Sequence, residues 1–198
     1  MTLNVSKRED NEQFGDRVPP NQRLTSGWPV FTSGSTPHID TKEWQFTISG
    51  AVEEELTFSW DEFNALAQAT IATDIHCVTG WSKLDNEWAG VPFADLMARV
   101  RPLPHARHVL VQCYGGYTTN LTLADLQADA VLFAHSHGGE PLPPEHGAPM
   151  RLVVPHLYFW KSAKWVRGLL FIDEDQPGFW EQYGYHNRGD PWKEERHA

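Results

Sequence analysis

Cysteine is nearly absent: Cys77 and Cys113 are the 2 thiols in 198 residues. Two thiols cannot build a disulfide framework, and a reduced compartment is the default for such a chain. Basic residues are outnumbered, 16 Lys and Arg against 26 Asp and Glu, for a net charge of -10. With no general basic field to recruit phosphate, nucleic-acid binding is not expected. Long apolar runs are missing too. The run from Leu152 to Trp160 is broken by Pro155 and His156 and is too short to span a bilayer, so no stable membrane insertion is expected. The stretch from Asn4 to Asp10 is polar and precedes no apolar segment; it reads as no signal peptide, and a cytoplasmic location is expected. There is no G-x-G-x-x-G, no G-x-x-x-x-G-K-[ST] and no G-x-S-x-G. A dinucleotide fingerprint, a phosphate-binding P-loop and a serine nucleophile elbow are thereby excluded. No internal repeat or low-complexity segment occurs.

What is present is aromatic and turn-rich: 9 Trp and 14 Pro in a chain that is 40% hydrophobic. That composition builds a sizeable core and favours irregular loops whose large side chains line a pocket. The length fits a polar N-terminal arm, 1–22, followed by one domain, 23–198. Trp44, Phe46 and Ile48 alternate with polar residues, as a half-buried strand does. Ser59 and Glu62 form a capping box that opens a helix at Trp60, expected to run to about Gln68. A strand over 70–76 leads to Cys77. Pro92 opens a short helix from Phe93 to Val100. Further strands are expected over 107–113, 117–121, 131–135, 150–154 and 165–172, with a cap at Thr122 and Asp125 and a long loop over 138–149. Short strands without regular strand-helix alternation predict an α+β fold with mixed or antiparallel sheets.

Cys77 sits where an apolar strand gives way to a Gly/Trp turn. A lone thiolate there is a soft ligand suited to a soft or high-valent metal; the ordinary reading is a buried structural thiol. From Met150 to Ile172 the chain carries Arg151, Lys161, Lys164 and Arg167 and no carboxylate, a local reversal of charge in an acidic protein. Lys161-Ser162-Ala163-Lys164 combines ammonium groups, a hydroxyl and small-residue backbone, the parts that hold a phosphate, and the preceding loop adds His146. His135-Ser136-His137 has metal-pair spacing but no convincing third ligand, which favours hydrogen-bonded histidines. A Cys/His hydrolase pairing for Cys77 is conceivable, although His76 points to the opposite face of the strand. A Trp-rich module that binds a ligand without catalysis is a further alternative.

The segment Cys77-Val78-Thr79-Gly80-Trp81-Ser82, followed by Trp88-Ala89-Gly90-Val91-Pro92, resembles the molybdenum-binding segment of the sulfite oxidase superfamily. The chain is most similar there to small prokaryotic molybdopterin-binding oxidoreductases related to the methionine-sulfoxide reductase catalytic subunit. The similarity continues through Tyr117-Thr118-Thr119-Asn120-Leu121, Gly138 to Pro143, His146 to Pro155 and Lys161 to Val166. The resemblance implies the sulfite-oxidase catalytic fold, a molybdenum–molybdopterin cofactor and oxygen-atom transfer to or from a small substrate, a sulfite-like anion, an S-oxide or an N-oxide. It implies Cys77 as the protein ligand to molybdenum and Tyr117 beside the metal. His146 and Arg151 match the pair that contacts the pterin, Ser162, Ala163 and Lys164 match the cofactor-phosphate loop, and Cys113 matches a further pterin contact. Thr32 departs from the pattern, standing where the family carries a histidine or asparagine. No haem domain accompanies these motifs, so the resemblance implies an external electron-transfer partner.

Overall fold

The structure, a computed structural model, describes residues 14–198. Eleven strands and four short α-helices occur among the described residues: β1 (Arg23–Leu24), β2 (Gln45–Gly50), β3 (Leu56–Ser59), α1 (Trp60–Asn64), β4 (Ala69–Cys77), β5 (Trp81–Pro92), α2 (Phe93–Val100), β6 (His108–Cys113), β7 (Thr118–Thr122), α3 (Leu123–Leu126), β8 (Leu132–His137), β9 (Glu140–Pro141), β10 (Arg151–Val153), β11 (Val166–Ile172) and α4 (Phe179–Gln182). One sheet runs β1-β5-β8-β10, with β4 also on β5 and β9 also on β8; the other runs β3-β2-β11-β6-β7. Both are mixed: β1 is parallel to β5 and β11 is parallel to β2, while the other pairs are antiparallel. The fold is the α+β class expected.

The core lies between the sheets. Phe46, Ile48, Val109, Val111, Leu169 and Phe171 from one sheet meet Val91, Phe133 and Leu152 from the other. The opposite face of the first sheet buries Ile75, Cys77, Trp81, Trp88, Leu132, Ala134 and Val153 in a second cluster. Successive strand residues point to opposite faces, so Phe133 and Leu152 enter one cluster while Leu132, Ala134 and Val153 enter the other. Burial on both faces is why Leu132 to Ala134 of β8 and Leu152 to Val153 of β10 read as apolar stretches without alternation.

Helix α1 and strand β5 depart from expectation, and β9 falls within the loop expected over 138–149. Helix α1 carries the capping box, with Ser59 Oγ accepting from Glu62 N (3.4 Å) and Glu62 Oε2 accepting from Ser59 N (2.8 Å). It ends at Asn64 rather than Gln68, because the Gln68 amide donates to Asn64 O (3.3 Å) and Leu66 O (3.0 Å) and the backbone must be extended by Ala69. The longest strand, β5, was not expected. Its middle is polar, Asp85 takes a left-handed φ of 55°, and its register against β8 shifts between Ala89 and Gly90. A Cβ on Gly90 would lie 2.0 Å from Phe133 O, so only glycine lets β8 approach.

The expected arm over 1–22 falls largely outside the described residues. Its described end is packed rather than free: Val18 and Gln22 are buried, and Arg17 pairs with Asp74 (2.8 Å) and Asp85 (2.6 Å). Among the described residues no helix is long and apolar enough to cross a membrane.

Candidate active site

The β4–β5 hairpin delivers Cys77. Its three-residue loop, Val78-Thr79-Gly80, closes with Gly80 N donating to Cys77 O (2.9 Å), and Gly80 takes the left-handed φ of 94° such a loop requires. Thr79 Oγ1 lies 3.2 Å from Cys77 Sγ and donates to it. Burial holds the thiol above its ordinary pKa, opposed by the Thr79 hydrogen bonds and by the charge of Arg196. The sulfur faces a cavity of about 280 Å³. His76, one residue back, faces away: its ring hydrogen-bonds Ser82 Oγ (2.8 Å). Among the described residues no histidine hydrogen-bonds Cys77, so the hydrolase arrangement is not assembled.

A second element brings charge to the same cavity. Arg151 opens β10 and is almost fully buried, at 2% exposure. Its Nη1 donates to His146 O (2.9 Å) and its Nη2 to Ser162 O (2.7 Å). Its guanidinium lies 4.2 Å from the Phe159 ring centre and 5.5 Å from that of Trp28. Lys164 donates to Phe31 O (2.7 Å) and Glu145 O (2.8 Å). Among the described residues no carboxylate pairs with Arg151 or Lys164, and none lines the cavity. Burial pushes Arg151 down to about 9, and burial with Arg151 beside it pushes Lys164 down to about 8. His146, stacked on Trp28 at 3.7 Å between ring centres, is pushed down to about 4 by burial and then by Arg151. These shifts describe a positive, desolvated pocket whose nearest carboxylate, Glu145, offsets Lys164 and His146 less than burial and Arg151 push them down.

Cys77, Tyr117, His146, Arg151, Ser162, Ala163 and Lys164, all singled out from sequence, line this one cavity. Tyr117 follows the Gly115-Gly116 turn, but its hydroxyl donates to Trp160 O (2.7 Å), so its proton is committed to the cavity wall. Two candidates are placed elsewhere. Lys161 Nζ is spent on Asn120 O (2.8 Å), Asn120 Oδ1 (3.0 Å) and Glu181 (2.6 Å), away from the cavity. Residues 161 and 164 share a loop, yet the side chains diverge. Cys113 alternates inward from β6 into the core between the sheets, where burial holds its thiol protonated. His135 and His137 bind different partners, Gln68 (3.0 Å) and Asn86 (3.1 Å), instead of converging. Sequence reasoning missed Trp28, Thr79, Phe159, Trp160, Trp180 and Tyr185 as lining residues. The abundance of tryptophan was the available signal, but it carried no position.

Thus a soft sulfur donor and an uncompensated cationic patch share one aromatic-walled cavity. Residues 33–180 match the model of the oxidoreductase molybdopterin binding domain family. The chain belongs to that family. It is a molybdopterin-dependent oxidoreductase of the sulfite oxidase superfamily, and its cofactor is the molybdenum–molybdopterin group. Over 191 residues it is 47% identical to "Uncharacterized oxidoreductase YuiH" of Bacillus subtilis (strain 168), covering 96% of both chains. It is 28% identical to the protein-methionine-sulfoxide reductase catalytic subunit MsrP of Ralstonia nicotianae, over 75% of this chain and 51% of that one. The chain therefore spans about half the length of MsrP. The crystal structure of the sulfane dehydrogenase SoxCD from Paracoccus pantotrophus superposes with a TM-score of 0.64 at 23% identity, covering 70% of this chain and 40% of that chain; the likeness is one of fold. The residues fit a molybdopterin: Arg151 and Lys164 are cations lacking an anion, and a pterin phosphate supplies one. Trp28 and Tyr185 line the cavity from outside the family-matched stretch.

Proposed function

We propose that this protein moves an oxygen atom to or from a small substrate, with Cys77 as the protein ligand to molybdenum and electrons exchanged with a separate redox partner. The observation that carries the reading is the shared cavity: the Cys77 sulfur opens into the same space as the unpaired Arg151 and Lys164. In this reading Arg151, Lys164 and the Ala163 backbone N–H hold the anionic end of the pterin, the Ser162 N–H being spent on Phe159 O (3.2 Å). Charge-assisted hydrogen bonds of this kind contribute roughly 1.5–3 kcal/mol each. When bound, the cofactor supplies two-electron oxygen-atom exchange. The protein's part is position and field. Thr79 orients the sulfur by donating to it, and Arg196 adds positive charge near it. His146, neutral at pH 7, offers a flat uncharged surface already stacked on Trp28.

Cys77→Ser tests the assignment, because it replaces a soft thiolate by a hard, weakly acidic hydroxyl. Oxygen-transfer activity should collapse and molybdenum content should fall, while the fold survives. Pterin should stay bound, since the groups holding its phosphate lie on β10 and the 161–164 loop. Full activity in Cys77→Ser removes the thiolate from the centre.

A further inference from the structure

The lining residues divide into two sets by what they touch. Arg151, Lys164, His146 and Trp28 form the cationic set described above. Trp160, Trp180 and Tyr185 form the other. The Tyr185 ring centre lies 5.3 Å from that of Trp160 and 4.9 Å from that of Trp180. This wall stands beside the Cys77 end of β4, because Phe159 N donates to His76 O (2.8 Å) and so lays the 159–160 backbone along that strand.

The wall is preformed. Trp160 Nε1 donates to Glu181 Oε1 (2.8 Å), and Glu181, between Trp180 and Tyr185 in sequence, is buried against Lys161 at 2.6 Å. Gly189 closes on the far side, where a Cβ would lie 2.6 Å from the Trp160 ring. It is also uncharged. The charged lining residues are Arg151 and Lys164, both assigned above to the cofactor's phosphate, and no carboxylate lines the cavity. Arg196 does not line it; its guanidinium donates to Val78 O, lies 5.1 Å from the Tyr158 ring centre and has Glu194 at 3.9 Å.

We propose that Trp180 and Tyr185 are specificity-determining residues that select an uncharged S-oxide or N-oxide bearing an apolar or aromatic group over a compact anion such as sulfite. The proposal rests on the oxygen-transfer reading and narrows its substrate class. A compact anion entering here would shed its water against aromatic side chains, with no free cation in return. An aryl or alkyl group gains area against the same rings, and the polar S–O or N–O bond is left to face the metal side. The overall reaction for an S-oxide breaks the S–O bond: sulfoxide, two electrons and two protons give sulfide and water, the electrons coming from a one-electron donor.

The test uses molybdenum-loaded protein with reduced methyl viologen as donor, comparing methyl p-tolyl sulfoxide with dimethyl sulfoxide, and sulfite oxidation with ferricyanide as acceptor. Calorimetric binding of methyl p-tolyl sulfide gives a readout independent of turnover. The aryl sulfoxide should have the highest kcat/KM of the three. Trp180→Ala and Tyr185→Ala should each lower the aryl-to-dimethyl ratio of kcat/KM by about tenfold and weaken sulfide binding by a similar factor, in line with the loss of one aromatic contact. Tyr185→Leu, which keeps apolar volume, stands in if the alanine variant loses its fold. Tyr185→Arg should raise kcat/KM for sulfite. An unchanged ratio in both wall variants, or sulfite as the best wild-type substrate, overturns the selection and leaves oxygen transfer standing. Turnover of none of the three by loaded protein overturns the oxygen-transfer reading beneath it.

Discussion

Lys164 is the residue whose charge is most open to adjustment. Its ammonium is held at about 8 by burial and by Arg151, below the ordinary 10.5. A bound phosphate favours the charged form and raises that value. Cofactor affinity should therefore be complete below pH 8 and decline as pH rises above it, since binding must then take up a proton. Pterin retention after gel filtration between pH 6.5 and 9.5 checks this, and Lys164→Gln should flatten the dependence. Tyr117 makes a different claim. Its hydroxyl donates to Trp160 O, so Tyr117→Phe leaves a carbonyl without that donor. The expected loss of stability is about 1 kcal/mol by denaturant melt. A stability equal to wild type, with catalysis impaired, would place the phenol's role in the cavity itself. The sequence placed Tyr117 at this cavity but not the direction of its proton, which depends on a backbone carbonyl 43 residues away.

At the scale of elements, α4 latches the chain's last segment to the loop that holds the cationic patch. The latch is the buried pair Lys161–Glu181, with side-chain exposures of 0% and 3%. Glu181→Ala leaves the ammonium desolvated without a counter-charge, a change that costs roughly 3–5 kcal/mol. Urea denaturation reads it directly, and a loss under about 1 kcal/mol would show that the pair is not the latch. Capping and alternation made several elements legible: the Ser59–Glu62 box, the Phe93–Val100 helix and the apolar runs of β8 and β10. Strand β5 was not legible. Its polar centre is satisfied partly within the strand, by Lys83 on both sides of the Asn86 amide (2.7 and 2.8 Å), and partly by distant partners: Asn86 donates to Thr73 O (3.3 Å) and accepts from the His137 ring (3.1 Å). A local pattern cannot report a strand whose pairing is supplied by β4 and β8.

For the whole molecule, the proposed site makes the uncompensated charges inside the cavity a cost that cofactor binding there would offset. Anything that binds the native state alone stabilises it by mass action, about 4 kcal/mol at a thousandfold excess over Kd. For a chain of this size each kcal/mol shifts Tm by roughly 2–4 °C. Loaded protein should therefore melt about 10 °C above the cofactor-free form. Scanning calorimetry of the two forms, with pterin content measured on each, checks this. The gap should shrink in Arg151→Ala, which removes both the anion's partner and the penalty in the empty pocket. A gap in Arg151→Ala as wide as in wild type would mean that the cationic patch is not where the cofactor binds.

The sequence by itself determined the family, the α+β class and most of the cavity's chemistry. The Cys77 segment and the His146–Arg151 and Ser162–Lys164 stretches are local motifs, and local motifs keep their residue types and spacing wherever the chain places them. Tertiary structure alone decided which cations of one short loop face the cavity. Lys164 does, whereas Lys161 turns to Asn120 and Glu181. It decided that Cys113 belongs to the core, through the pleat of β6. It also decided that Trp28 and Tyr185, 157 positions apart by their numbers, line one space with Cys77. The physical reason is common to all three: where a side chain points and which charge stays unpaired are set by contacts between residues far apart in sequence, and those contacts exist only once the sheets have paired and packed.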